Sequence, residues 1–228
     1  MPSNLQTQIN KIQQSLKSNF DLTVAILNHT DAIILPDGYT RIEYIQSTGN
    51  QYIDTNYLPK SLSTKYEIGF MRTSTNGSYN PIINSEEDLR FGVLCSDTVT
   101  SRGICWAGSR SSYKVTTFPI VNNEKYDIIF DKTGISVNNT KYNFNGTVTE
   151  ATASWTTMIN HRKTSSTGYA SEYSLGRWYY LRIYEDEKLV RNFIPVKNSN
   201  NVACLYDAIN KTTHLNVGSG SFTAGPEV

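Results

Sequence analysis

The chain has no excess of charge of either sign: 21 basic and 20 acidic side chains leave a formal net charge of +1 over 228 residues. A protein that holds duplex DNA or RNA by releasing counterions presents a basic face. Here the basic residues are scattered, so nucleic acid is not an expected partner. Long apolar runs are also missing. No stretch approaches the roughly 20 apolar residues that a membrane-spanning helix needs. The N-terminus lacks the basic start and apolar core of a signal peptide, so neither a membrane span nor secretion is expected. Cysteine is sparse. Cys95, Cys105 and Cys204 are odd in number and show neither CxxC spacing nor a neighbouring His, which argues against a zinc site and a full disulfide framework. They read as reduced core residues, with a bridge between Cys95 and Cys105 left open for a protein that matures outside a cell.

What the chain has in surplus is small polar side chains: 22 Asn, 23 Ser and 25 Thr, 70 residues in all. Against an average composition richer in charge and aliphatics, this predicts a neutral, polar surface. The length suits one large β-domain behind a short appendage.

Residues 3–19 carry a helix pattern. Ser3 can cap it, with Gln6 at the capping-box spacing. Leu5, Ile9, Ile12 and Leu16 then follow at steps of four, three and four, one apolar stripe among Gln, Asn, Lys and Ser. Two heptads make a marginal isolated helix, so the stripe needs a surface to cover it. As a coiled-coil seam it places Ile9 at an a position and Ile12 at d, a pairing that shifts preference from dimers toward trimers. The competing reading folds the helix back onto its own domain. From 20 to 35 the pattern is mixed: Leu22, Val24 and Ile26 alternate like a strand, whereas Ile26, Ile33 and Ile34 suit a helix. Pro36-Asp37-Gly38 is a turn and marks the boundary, giving an anchor segment at 1–37 and a second domain at 38–228.

From Tyr39 the period changes to two. Ile42 and Tyr44, Tyr66, Ile68 and Phe70, and Tyr126, Ile128 and Phe130 each alternate with more polar neighbours, the signature of half-buried strands. Turn signals recur at Asn76-Gly77, Thr133-Gly134, Asn145-Gly146 and Gly218-Ser219-Gly220, a spacing that predicts an antiparallel sandwich rather than βαβ units. Tyr126 to Phe130, Ile135, Val137, Tyr142 and Phe144 are expected to share one face. A second hairpin is expected at Trp178 to Tyr184, the turn Glu185-Asp186-Glu187-Lys188, and Leu189 to Ile194. Pro195 is expected to end that pairing or lie at an edge, because it cannot donate to a ladder.

The run Gly38-Tyr39-Thr40-Arg41-Ile42-Glu43-Tyr44-Ile45-Gln46-Ser47-Thr48-Gly49, followed by Gln51-Tyr52-Ile53-Asp54-Thr55, resembles the opening of a laminin-G-like, concanavalin A-like jelly roll found in phage proteins of gut bacteria. The closing stretch is similar too: Val190-Arg191-Asn192-Phe193-Ile194-Pro195-Val196, Leu205-Tyr206-Asp207 and Gly218 to Pro226. The resemblance covers roughly residues 38 to 228 and is strongest at its two ends. It implies a mainly β, antiparallel jelly-roll sandwich behind a short helical oligomerisation or anchoring segment. It further implies a non-enzymatic virion protein, a head fibre or tail fibre, made in the host cytoplasm and displayed on the particle. Its partners would be copies of itself in a trimer, other capsid or tail proteins through residues 1–37, and a host-surface glycan. Jelly rolls also host hydrolases, so a carbohydrate-active hydrolase or depolymerase and a prophage-derived bacterial adhesin are the alternatives.

Glycoside hydrolases flank the scissile bond with two carboxylates, about 5–5.5 Å apart for retention or 6.5–9.5 Å for inversion. The acidic clusters Glu185-Asp186-Glu187 and Glu86-Glu87-Asp88 read instead as a hairpin tip and a loop, so no catalytic residue is assigned. His29, His161 and His214 lack a Ser or Cys motif such as GxSxG, and exposure is the ordinary reading for His29 and His214. No cofactor or metal is expected: Asp54, Asn56 and Asp97 are oxygen ligands that calcium would accept, but no EF-hand spacing joins them. For sugar binding the candidates are Trp106, Arg110, Trp155 and Tyr169, aromatic platforms and polar groups of the kind that line ligand sites. Core burial is the competing role for Trp106 and Trp155.

Overall fold

The structure, a computed structural model, describes Gln8, Lys11 and residues 13–17, 33–75, 79–86, 89–96, 102–161 and 172–228. The chain divides into two compact units, 1–34 and 35–228. In the first unit Gln8, Lys11 and residues 13–17 are helical, Ile33 and Ile34 are not, and Leu16 is 64% exposed. Leu5, Ile9 and Ile12 lie outside the described residues, as do the strand-or-helix alternatives at Leu22, Val24 and Ile26. Among the described residues no helix is long and apolar enough to cross a membrane.

The second unit is antiparallel β throughout its pairings. Its strands are β1 (Thr40–Arg41), β2 (Ile45–Ser47), β3 (Ile53–Asp54), β4 (Thr64–Ser74), β5 (Tyr79–Glu86), β6 (Leu89–Ser96), β7 (Arg102–Ser109), β8 (Lys114–Pro119) and β9 (Lys125–Asp131). They continue as β10 (Gly134–Val137), β11 (Thr140–Asn143), β12 (Met158–Ile159), β13 (Leu175–Glu185), β14 (Lys188–Lys197), β15 (Ala203–Asp207), β16 (Thr212–His214) and β17 (Thr223–Ala224). One sheet has the order β11-β10-β9-β4-β13-β14-β15-β16, with β1 on β14 and β2 joining β13 to β17; the second runs β3-β12-β5-β6-β7-β8.

Both sheets feed one core. Tyr66 and Phe130 of the larger sheet meet Phe91 of the smaller at ring-centroid distances of 5.2 and 4.6 Å. Trp178 is buried beside Phe70 and donates its indole N–H across to the Ile82 carbonyl on β5, 3.2 Å away. Burial of such rings, at roughly 25 cal/mol per Å² of apolar surface, drives the two layers together.

Several local expectations hold. Ile135 pairs with Phe130 and with Tyr142, and Val137 with Ile128, so the β9 to β11 apolar residues line one face as the alternation requires. The β13–β14 hairpin turns through Asp186 and Glu187, whose φ values of +48° and +62° are those of a two-residue type I′ connection. Two expectations need correction. Tyr44 does not continue a buried alternation from Ile42: β1 and β2 are separate strands, Ile42 and Ile45 are the buried pair, and Tyr44 is half-buried under Arg177, 4.4 Å from its ring centroid. Pro195 neither ends β14 nor lies at an edge; it pairs with Leu205 of β15. Its carbonyl faces the other side and accepts from Ile42 N at 3.1 Å. The missing N–H therefore falls where β13 leaves β14 and β1 takes over, a gap in the ladder that costs no hydrogen bond.

The first and last segments of the second unit lie side by side. Ile42 bridges Glu227, Glu43 N donates to Pro226 O at 2.8 Å, and Gly225 N donates to Tyr44 O at 2.8 Å.

Candidate ligand-binding face

The two faces of the smaller sheet differ in character. Ile83, Val93 and Cys105 are Cα partners across β5, β6 and β7, and all belong to the shared core. Side chains alternate along a strand, so the neighbouring row, Asn84, Gly92 and Trp106, faces away from that core. Met158 of β12 and Asp54 of β3 continue this row on one side, and Val115 of β8 on the other. Glu86, Arg90 and Gly108 form the next row on the same face.

Gly92 lets Asn84 lie across the sheet, because a Cβ at position 92 would overlap Asn84 Oδ1. The carboxamide thus sits over β6, between its own strand and that of Trp106. Asn84 is 1% exposed, and neither Oδ1 nor Nδ2 has a hydrogen-bond partner. Trp106 is 6% exposed, and its Nε1 is unpartnered as well. Leaving one such group unsatisfied costs about 1–3 kcal/mol, and native structures rarely tolerate several together. The row opens at Val115, which is 46% exposed.

Charge on this face is only partly paired: Nε of Arg102, on the Trp106 side of β7, and Nε of Arg90 are buried without a hydrogen-bond partner. Glu86 is 4% exposed, with Oε1 3.3 Å from Arg90 Nε, and the Arg90 guanidinium lies 4.3 Å from the Tyr113 ring centroid. Glu86 is therefore the buried end of β5 and not part of a loop, as its acidic neighbours had suggested. Asp54, the other carboxylate on this sheet, lies two strands and two residues from Glu86. Strand spacings of ~4.8 Å and a rise of ~3.3 Å put their backbones about 12 Å apart. Asp54 is already engaged, accepting from Asn56 N at 2.8 Å and Thr156 Oγ1 at 2.9 Å.

A groove of about 460 Å³ lies elsewhere, lined by Asn56, Arg191, Asn210, Thr212 and His214 among others. His214 Nδ1 donates to the Asp54 carbonyl at 2.8 Å, which leaves Nε2 to accept from Thr212 Oγ1 at 3.2 Å. Fully buried Asp207 accepts from Asn192 N and Ile209 N at 3.0 Å and from Asn210 Nδ2 at 2.7 Å, with Arg191 Nε 3.5 Å away. These groups satisfy one another. His214 is buried, which corrects the expectation of exposure, because β16 carries it against Phe193, ring centroids 5.0 Å apart.

Of the residues singled out from sequence, Trp106 lies on the outward row. Arg110 is exposed in the turn between β7 and β8. Trp155 is partly buried, and its carbonyl accepts from Ser85 Oγ at 2.8 Å, beside the Glu86 end of β5. Tyr169, His29 and Asp97 lie outside the described residues. His161 is buried against Tyr52, ring centroids 4.6 Å apart. Cys95, Cys105 and Cys204 are buried free thiols. Among the described residues no three His, Cys, Asp or Glu side chains cluster as metal ligands. Sequence reasoning missed Asn84, Gly92, Arg90 and Tyr113. The signal was present in β5, where Asn84 and Glu86 stand two apart, on one face of a strand that also carries the buried isoleucines Ile82 and Ile83.

No family model and no curated protein sequence matches the chain.

Proposed function

We propose that the protein is a non-enzymatic phage virion component, a head or tail fibre or decoration, that binds host-surface glycans. In this reading residues 1–37 join copies into a trimer or dock them on capsid or tail proteins. Residues 38–228, a concanavalin A-like jelly roll, are displayed outward. Support for the virion setting is the resemblance of residues 38–55 and 190–226 to phage jelly rolls, together with the split into a short N-terminal unit and one two-sheet β unit. The observation that carries the binding activity is the row of unpartnered polar atoms on Asn84 and Trp106, beside Arg90 and Tyr113. Such atoms are what a hydroxyl-bearing ligand completes.

A hydrolase is the second reading, favoured by the buried carboxylate of Glu86 on the same face. Against it, Glu86 is tied to Arg90 and Asp54 already accepts hydrogen bonds from Asn56 N and Thr156 Oγ1, so neither carboxylate is free to act as acid or base.

The test is a glycan array probed with the full chain and with Asn84→Ala. Retention of glycans by the parent and their loss from the variant is the expected result. A parent chain that retains none sinks the adhesion reading.

A further inference from the structure

We infer that the groove where β3 and β16 meet holds a carboxylate-bearing sugar, with Arg191 as the group that takes the carboxylate. It is a second site, apart from the row of Asn84 and Trp106. Its polar groups open onto a hollow of about 460 Å³, within the range of ligand pockets. β3 and β16 each end their sheet, and His214 Nδ1, donating to Asp54 O, ties the two edges together. Asn56, Asn210 and Thr212 are exposed, so a ligand reaches them without any opening of the fold.

The mutual satisfaction of His214 and Asp207 leaves Arg191 with donors to spare. A guanidinium carries five N–H groups. Arg191 Nε lies 3.5 Å from Asp207 Oδ2, Nη1 donates to Val190 O at 3.0 Å, and Nη2 donates to Asn56 O at 3.5 Å. One N–H on each terminal nitrogen is therefore uncommitted, and two donors on one guanidinium are what a carboxylate accepts. Asp207 does not cancel the cation at the mouth of the groove. Its side chain is fully buried and its oxygens accept from Asn192 N, Ile209 N and Asn210 Nδ2, whereas the Arg191 side chain is 24% exposed. The pair is a dipole with its positive end outward. Asn56 takes φ +53°, a left-handed conformation that asparagine tolerates and that brings its carbonyl to Arg191.

Among the described residues lining the groove, Arg191 is the only Arg, Lys, Asp or Glu, and the rest are all polar. Asp54 lines the adjoining hollow, and its carboxylate is held by Asn56 N and Thr156 Oγ1. Thr55 Oγ1 donates to Thr157 O, Thr213 Oγ1 is bonded to Tyr39 Oη, and Thr212 Oγ1 donates to His214 Nε2. What remains around the cation is the Asn56 carboxamide, Asn210 Oδ1 and the lone pairs of Thr212 Oγ1. A ligand that completes this set accepts at Arg191 and donates to the oxygens beside it. A uronic acid does both, because the ring that bears its carboxylate also bears hydroxyls. An Asp or Glu side chain of a protein partner would set its methylenes against polar walls and gain no apolar contact.

Isothermal titration of the 228-residue chain at pH 7 compares methyl glucuronide with methyl glucoside, which differ at C6 alone, and with N-acetylglutamate amide as the peptide acid. The glucuronide is expected to bind about tenfold more tightly than either, through charge-assisted hydrogen bonds to Arg191. Asn56→Asp alters a side chain that makes no hydrogen bond of its own and sets a carboxylate beside Arg191; it is expected to abolish the preference for the glucuronide. Arg191→Lys keeps a cation near Asp207 but lacks the planar fork, and is expected to weaken the glucuronide about tenfold. Circular dichroism checks that both variants fold, and Asn56→Asp decides alone if Arg191→Lys does not. Equal binding of glucuronide and glucoside, no binding of glucuronide, or a glucuronide affinity unchanged by Asn56→Asp overturns the inference. Binding of N-acetylglutamate amide as tight as that of the glucuronide overturns it in favour of an acidic peptide. Glycan retention that depends on Asn84 is read at a different place on the molecule, so failure at Arg191 leaves that reading standing.

Discussion

Asn84 occupies the space that a side chain at position 92 would need: a Cβ on Gly92 would overlap Asn84 Oδ1 and lie 3.0 Å from the Ile83 carbonyl. The glycine and the amide are thus one device. With no Cβ on β6 at this point, a polar group can lie over the sheet, on the side away from the core.

Gly92→Ala is expected to force the amide off the sheet. Overpacking at a buried position costs about 1–3 kcal/mol, read as a lower urea midpoint, and glycan retention should fall with it. A variant of parental stability would mean that the Asn84 side chain moves aside freely.

Asn84→Leu is nearly isosteric and removes both unpartnered atoms. Because an unsatisfied buried polar group costs about 1–3 kcal/mol, the variant is expected to be more stable than the parent by about that amount while losing its ligand, a trade of stability against function. Chemical denaturation with and without glycan checks both halves.

Asn160 provides the contrast. It is fully buried at φ +65°, its Nδ2 donates to Ser47 Oγ at 2.7 Å and Gln51 O at 2.5 Å, and its Oδ1 accepts from Ser174 N at 2.7 Å. Asn160→Ala strands those partners and introduces a left-handed alanine. A loss of about 2–4 kcal/mol is expected, and a denaturation midpoint within error of the parent would contradict the network.

Burial pushes the Cys95 and Cys204 thiols up to about 12 and about 11, and raises that of Cys105 too; burial likewise pushes Tyr57 up to about 12. The native protein therefore keeps protons that the unfolded chain releases above its thiol pKa of about 8.5. That contribution to stability is fully present below about pH 8.5 and is lost as pH rises through the folded values. Urea midpoints should be level from pH 7 to 8 and fall between pH 9 and 11. Iodoacetamide at pH 8 should spare all three cysteines until the chain is unfolded.

Ile9→Asp with Ile12→Asp tests the apolar stripe. If residues 1–37 join subunits, light scattering should show the mass fall from an oligomer, a trimer by the isoleucine pattern, to the 25.7 kDa monomer. Unchanged mass removes the oligomerisation role.

Much of the β unit was legible because period two is a local property. Tyr66, Ile68 and Phe70, or Tyr126, Ile128 and Phe130, declare their buried face whatever strand lies beside them. Turns were legible where glycine announced them, as at Gly134, Gly146 and Gly220, and illegible at Asn138 and Asn139, which take φ values of +46° and +68° without any glycine. Pro195 was misread because its tolerance depends on which neighbour the strand has at that point.

The candidate site was legible only in Trp106. Composition and alternation by themselves determined a near-neutral, polar, antiparallel β protein with an amphipathic N-terminal stripe, since charge balance and side-chain period are properties of the chain. Which residues stand beside Trp106 was decided by register. Asn84 is 22 positions away in sequence and reaches Trp106 only because β5, β6 and β7 pair so that Gly92 falls between them. Likewise, an asparagine in a strand reads as an ordinary polar residue. Only tertiary packing withdraws it from water without supplying a partner, and that is what turns it into a candidate site.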